Sequence, residues 1–379
     1  MTKSPGDMIQ IHTLASFSAV LLNRDDAGLA KRKQFGSAVR TRISSQCLKK
    51  RWRESDVFRE LGPIAIRSRR AFQHYIVKPL VADHGVPESE AVILADYLIK
   101  LVGGDKALNA KKEGESSLVL VLGDQELAYL LEFGLKVLEA VRPEDGEIKK
   151  LKELNAYDLS GEEKKNFKLL PKTFDMAAFG RMVTGDLLAT VDSAVSVAHS
   201  LTTHASMEEA DYFTAVDTLM DDGETGAGHL NEAELTSGVF YTYVTIDMNG
   251  LRANLGDQAD RAEDMVRKFV RAIATVSPGA KKGSTAPYSP ASFLLVERGS
   301  AQPRSLSNAF ERPVPSDSPS IIEESAKRLL DYRRRMDGAF EIGPDRAKAV
   351  SVLPLEGADD LLADNLTEAI EGILSDPAA

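Results

Sequence analysis

The pattern that most constrains this chain is a long helical-periodic block held between strand-like segments. Residues 8–15 (MIQIHTLA) alternate apolar and polar, as a half-buried strand does. Residues 236–248 (TSGVFYTYVTIDM) are rich in aromatic and β-branched types, and Ser292 to Glu297 reads as a further strand. Between them, residues 64–180 carry mainly the 3.6-residue period. It is clearest over Ser89 to Val102, stopped by Gly103–Gly104, and over Gln125 to Val141, ended by Pro143. Strands at both ends with helices between them predict an α+β fold, in which a helical segment is inserted into a small sheet domain.

Other elements follow from local signals. Asn23 to Arg42 reads as a polar loop, after which Ser44 or Ser45 caps a helix from about Gln46 to Leu61. Phe174, Met176, Ala178 and Gly180 alternate, as do Val191, Ser193, Val195 and Val197, and both stretches are expected to be extended. Asp257 can cap an apolar-faced helix carrying Met265, Val266, Phe269 and Ile273. Pro319 suits a first helical position, opening a helix to about Met336. Residues 360–374 form a last amphipathic helix.

Composition narrows the class. With 379 residues and 43% apolar content, the chain can bury a substantial core. Its single cysteine, Cys47, can form neither an internal disulfide nor a cysteine-based zinc site, which fits a reducing compartment. Met1 to Asp7 lacks the features of a signal peptide, and no apolar run approaches the ~20 residues that span a bilayer. A cytoplasmic protein with no membrane partner is expected.

The net charge of −10 argues against nucleic acid until its distribution is read. From Asn23 to Arg53 there are ten basic residues against two acidic ones, a net of +8, so the rest of the chain carries −18. Local field, not total charge, attracts a polyanion. On the helix after Ser45, Cys47, Leu48 and Trp52 fall on one side and Lys49, Lys50 and Arg53 on the other. Arg51 falls within the apolar arc and must snorkel. If Arg40-Thr41-Arg42 is extended, both guanidinium groups share a side. On charge alone, a phosphate-binding surface and a solvated basic face are equally good readings. The loop arginines and lysines favour the first. A second, smaller basic segment is the Gly/Ser/Pro-rich 277–290, with Lys281 and Lys282, whose backbone could approach phosphate closely but which by itself reads better as a solvent-exposed turn. Arg333-Arg334-Arg335 reads as charge complementing a helix C-terminus.

These segments carry a resemblance. Leu22-Asn23-Arg24-Asp25-Asp26, Phe35-Gly36 and Arg40-x-Arg42-Ile43-Ser44-Ser45-Gln46 are similar to the start of the type I-E CRISPR Cascade backbone subunit, also called CasC. Gly180-Arg181-Met182, Ala198-His199, Thr202-Thr203-His204, Phe213-Thr214-Ala215-Val216-Asp217, Ser237-Gly238-Val239-Phe240-Tyr241, Pro278-Gly279-Ala280-Lys281 and Asn308-Ala309-Phe310-Glu311 follow in the same order. The family belongs to the RAMP superfamily. The resemblance implies an RRM-like (ferredoxin-like) palm made of residues 1–59, 173–204 and 236–379, helical fingers at 60–172 and a β-hairpin thumb at 205–235. It implies a subunit that coats the guide RNA (crRNA) as a head-to-tail filament of copies of itself, contacts other Cascade subunits and presents the RNA for pairing with target DNA in antiviral defence. Carried over by position, Arg24, Lys31, Arg40, Arg42, Lys49, Lys50 and Arg53 would contact RNA phosphates, with polar contacts from Asn23, Ser44, Ser45 and Gln46. Lys281 and Lys282 match a second basic loop. Arg181 is carried over as a further RNA contact, and Met182 and Phe213–Thr214 would wedge at a displaced nucleotide; without the resemblance, Met182 and Phe213 read as ordinary core residues. Ala38 and Gly283 stand where the family can have basic residues, and 58–172 shows weak similarity.

No catalytic motif emerges: there is no HExxH, Walker A or G-x-S-x-G pattern, and His199 and His204 are poorly spaced to share a metal. No cofactor or metal is expected. The alternative is a metal-dependent endoribonuclease of the same superfamily, for which Asp211, Asp217, Asp221 and Asp222 are the candidate acids.

Overall fold

Antiparallel pairing around one central strand organises the sheet. The computed structural model describes residues 6–109, 111–143, 146–185, 187–207, 209–216 and 227–375. Strand β1 (Met8–Val20) lies between β9 (Ala227–Asp247) and β10 (Phe293–Gly299), with Ile11 opposite both Val244 and Val296. On the far side of β10 runs β11 (Arg346–Ser351). On the far side of β9 run β6 (Val195–Val197) and β7 (Ser200–Thr202), followed by β3 (Ala38–Ile43) and β2 (Arg32–Phe35). In chain order this is strand, helix, strand, strand, helix, strand, with β10, β1, β9 and β6/β7 side by side. That connectivity is RRM-like, and the mixed architecture is α+β as expected.

Two compact units form. The sheet belongs to the first, made of residues up to Glu60, Val195–Asn249 and the chain from Glu263. One face of the sheet is covered by the helices Ser45–Glu54 and Ala262–Thr275, where the Trp52 and Phe58 rings meet Phe269 edge-on. The other face carries Leu14, Tyr241 and Leu295 against Phe310 and Leu329, the latter from the helix Ile321–Phe340. Both faces are therefore dry, and this corrects the half-buried reading of residues 8–15. Gln10, His12 and Thr13 are buried, and Gln10 Oε1 accepts from the Tyr243 hydroxyl and the Arg304 N–H. His12 Nδ1 lies 2.8 Å from the Tyr241 hydroxyl, and Glu297 accepts from Arg304 and Arg333.

The second unit, Leu61–Ala194 with 250–262, is mainly helical. Its core joins Phe72, Leu94 and Leu98 to Leu130, Phe133 and Phe167, with the helices Glu88–Gly103 and Asp124–Val141 at its centre. Strands β4 (Ile66–Ser68) and β5 (Leu120–Leu122) form a small separate pair.

Several expectations change. The polar loop at 23–42 contains the β2–β3 hairpin. Its turn residue Gly36 has φ of 57°, and a Cβ there would meet the Glu311 carbonyl at 1.9 Å, so only glycine fits. The helix after Ser44 breaks at Ser55, whose hydroxyl caps the short helix Asp56–Arg59. The alternation at 174–180 is a helix, Phe174–Phe179, five of whose residues are buried. Burial on all sides removes the amphipathic contrast on which a period is read. Residues 173–194 therefore cluster with the helical unit and not with the sheet. Strand β11 had no clear sequence signal.

β8 (Glu209–Val216) pairs antiparallel with the first half of β9, Glu209 opposite Leu235 and Val216 opposite Ala227. The 205–235 excursion is thus a hairpin over its described residues. The candidate acids Asp217, Asp221 and Asp222 lie outside the described residues.

Candidate nucleic-acid interface

Ordinary backbone chemistry draws the basic segments together. The Ala280 N–H donates to the Leu21 carbonyl at 2.7 Å, docking the loop of Lys281 and Lys282 beside the end of β1. Asn23, two residues on, accepts from the Lys31 N–H at its carbonyl (3.0 Å) and from the Ser44 N–H at Oδ1 (2.9 Å). One asparagine thus ties the Arg24 loop, the strand entry at Lys31 and the start of the helix Ser45–Glu54. Asp25 Oδ1 accepts from the N–H groups of Ala27 and Leu29, each at 3.0 Å, so this acid orders the loop. Arg24 is exposed at its edge, and Lys31 and Arg42 are half-buried.

The helix start is set by Ser44, whose hydroxyl accepts from the Cys47 N–H. Gln46 is exposed, while Ser45 is buried. Leu48 and Trp52 face the core, as the periodicity predicted. Cys47 is half-buried, and burial raises its thiol pKa. The opposite side is less open than expected. Lys50 is well exposed, with a 3.6 Å pair to Glu54, but Lys49 and Arg53 are half-buried. Burial, and then the nearby Arg53, lower the Lys49 pKa. Like charges crowded this way are relieved by an arriving polyanion. Arg51 leans toward Glu54 at 3.5 Å.

His199 joins the site and was not singled out as a site residue in the sequence. Between the pairs Val197–Val244 and Leu201–Tyr241 the β6–β7 segment has one residue more than β9, a bulge. His199 sits in it. Its Nδ1 accepts from the Ser45 N–H at 3.3 Å and lies 3.3 Å from Arg42 Nη1. Two donors facing Nδ1 fix the neutral ring with its proton on Nε2. Partial burial, Arg42 and Lys31 hold its pKa below the usual value.

Two arginines expected to contact RNA, Arg40 at a phosphate and Arg181, are instead buried and paired within the protein. Arg40 and Arg42 do share a face of β3, but Arg40 is 0% exposed. Its guanidinium donates to the carbonyls of Thr202 (3.0 Å) and Phe310 (2.6 Å). The segment around Phe310 roofs it, which alternation within one strand cannot reveal. Arg181 is buried in the helical unit, donating to the Glu126 carboxylate at 2.5 Å and to the Ala189 carbonyl at 2.9 Å. The next residue, Met182, is 87% exposed. Arg181 therefore anchors the segment from which Met182 projects. Phe213 and Thr214 lie in β8, opposite Asn231 and Leu230. Lys281 and Lys282 are exposed, and Lys282 Nζ lies 5.9 Å from the centroid of the exposed Tyr288 ring.

The chain thus combines an RRM-like sheet unit, interrupted in sequence by a helical unit, with basic residues gathered at one sheet edge. The family follows from comparison. The model of the CT1975-like protein family matches residues 9–371, and the chain belongs to that family. This bears out the resemblance to the Cascade backbone family. A chain of the solved "CRISPR RNA-guided surveillance complex, pre-nicking" superposes with a TM-score of 0.80 at 25% identity, covering 97% of this chain and 99% of that one. A chain of a "CRISPR RNA-guided surveillance complex" gives 0.71 at 22% identity, covering 98% and 100%, and supports the fold. No curated protein matches. Among the described residues, no helix is long and apolar enough to cross a membrane.

Proposed function

We propose that this chain is a non-catalytic guide-RNA-binding backbone subunit of a type I-E CRISPR surveillance complex. The observation that carries the reading is the meeting of two basic segments, remote in sequence, through the bond between Ala280 and Leu21. Lys31, Arg42, Lys50, Lys281 and Lys282 read the ribose–phosphate chain, while base pairing with target DNA reads sequence. Copies of the chain polymerise head to tail along the spacer, beside other subunits of the complex. The exposed Met182 and the β8–β9 hairpin are the elements suited to interrupting the strand at intervals. The acidic remainder of the chain limits stray polyanion binding.

Imaging the protein with single-stranded RNAs of increasing length tests the reading. Filaments whose length tracks the RNA are expected, with the RNA intact after incubation with Mg²⁺. Regular cleavage of the RNA would favour the endoribonuclease alternative and overturn the non-catalytic assignment.

A further inference from the structure

The chain enters and leaves the β8–β9 hairpin through one small piece of structure, the β2–β3 hairpin. On the way in, the Ser206 N–H donates to the Val39 carbonyl at 2.7 Å, and Ser206 Oγ lies 2.8 Å from Thr41 Oγ1, which ties this end to β3. On the way out, Glu234 Oε2 accepts from the Ala30 N–H at 2.8 Å, and its Oε1 pairs with Arg32 Nη2, which ties this end to the start of β2. Arg32 and Thr41 lie opposite one another in the β2–β3 pairing, so both ties fall on one rung.

Lys31 stands between the two residues that Glu234 holds. Its own N–H donates to the Asn23 carbonyl at 3.0 Å, and its carbonyl accepts from the Arg42 N–H at 2.7 Å. The Glu234 contacts at Ala30 and Arg32 fix the main chain on either side of it. A side chain carried on fixed backbone has less entropy to lose when it meets a phosphate.

Electrostatics alone argues against an acid at this place. The Glu234 side chain is 10% exposed, and it pairs with a segment whose net charge is +8. A carboxylate so placed offsets part of the field that attracts a polyanion. It also carries a desolvation cost, which its two donors offset. What it supplies in return is geometric. One oxygen on a main-chain donor and the other on a guanidinium hold Ala30–Arg32 at two points.

We propose that Glu234 is a positioning residue for the RNA-binding surface: from the root of the β8–β9 hairpin it holds Ala30–Arg32 in the setting that presents Lys31 to a phosphate. The proposal rests on the RNA-binding reading above. It makes the hairpin root and the Lys31 segment one mechanical unit, so that the position of the first and phosphate contact by the second are coupled.

Charge and position predict opposite signs for Glu234→Gln. The affinity of the full chain for a fluorescent oligouridylate, measured by anisotropy at fixed salt, distinguishes them. Removing a carboxylate from a cationic surface should by itself tighten binding. Losing the positioning contact should weaken it, about fivefold. The loss caused by Lys31→Ala should then shrink to near zero in the Glu234→Gln background, because Lys31 is no longer presented. The loss caused by Lys282→Ala should be the same in both backgrounds. General destabilisation would not single out Lys31. Glu234→Asp keeps the charge and shortens the reach, and is read in the same way should Glu234→Gln fail to fold. Unchanged or tighter binding by the variant overturns the proposal and leaves RNA binding standing. So does a Lys31→Ala loss of equal size in both backgrounds. A Lys282→Ala loss that shrinks as well assigns Glu234 a general structural role, and also overturns the proposal. Absence of binding by the wild type overturns the proposal and the RNA-binding reading together.

Discussion

The backbone N–H of Ala280 meets the carbonyl of Leu21 at 2.7 Å, and through that bond two basic segments become one surface. Neither segment is exceptional alone, since each could be a solvated loop. Joined, and bounded by a helix start and a bulge, they form a cationic edge on a protein of net charge −10.

Because the surface is shared, charge removal on either segment should act on the same equilibrium. Lys31→Ala and Lys282→Ala should each weaken single-stranded RNA binding. Each should reduce the log–log salt slope by roughly 0.7 for every phosphate that the variant leaves unneutralised. Thermal melting should be unaffected, because Lys282 is exposed and Lys31 half-buried. Titration at several salt concentrations measures both effects.

The two arginines of β3 should separate cleanly. Arg40→Ala removes charged hydrogen bonds to the Thr202 and Phe310 carbonyls and should cost about 2–3 kcal/mol of stability. Arg42→Ala should weaken RNA binding severalfold with little change in denaturant midpoint. Equal stability losses in urea unfolding would contradict the assignment.

A comparable contrast is expected in the helical unit. Arg181→Ala leaves the buried Glu126 carboxylate without its partner and should destabilise that unit by about 3–5 kcal/mol. Met182→Ala should leave the melting curve unchanged, given the exposure of its side chain. Differential scanning calorimetry distinguishes the two.

Acid should destabilise the fold in two stages. Burial lowers the pKa of His12 and His204, so the unfolded chain takes up protons below about pH 6.5 that the folded one refuses. Stability should therefore fall between about pH 7 and 5. Although burial pushes the Glu297 carboxyl up, its bonds to His12 and Arg304 hold it below the ordinary range. Its contribution is present above the unfolded value near 4.3 and is lost at more acid pH. Urea midpoints from pH 8 to 3 should decline along this path, and a rise in the upper window would contradict it.

Much of this was legible in the sequence, for physical reasons. The helices Glu88–Gly103 and Asp124–Val141 have one wet side, and their periods showed. So did the faces of the helix after Ser44, because Leu48 and Trp52 contrast with Lys50. The helix Phe174–Phe179 did not show, because it is buried on nearly every side. The same cause hid the true settings of Arg40 and Arg181. A charged residue reads as exposed until the carbonyls or carboxylate that enclose it are known, and those come from distant segments. His199 was missed because a bulge, and not its neighbours in sequence, aims it at Ser45.

The most direct test is the ratio of absorbance at 260 to 280 nm of the purified chain beside the variant Lys31→Glu/Lys50→Glu/Lys282→Glu. The wild type should carry RNA, and the variant should be folded by circular dichroism yet free of it. A folded variant that keeps its full complement of RNA would contradict the account.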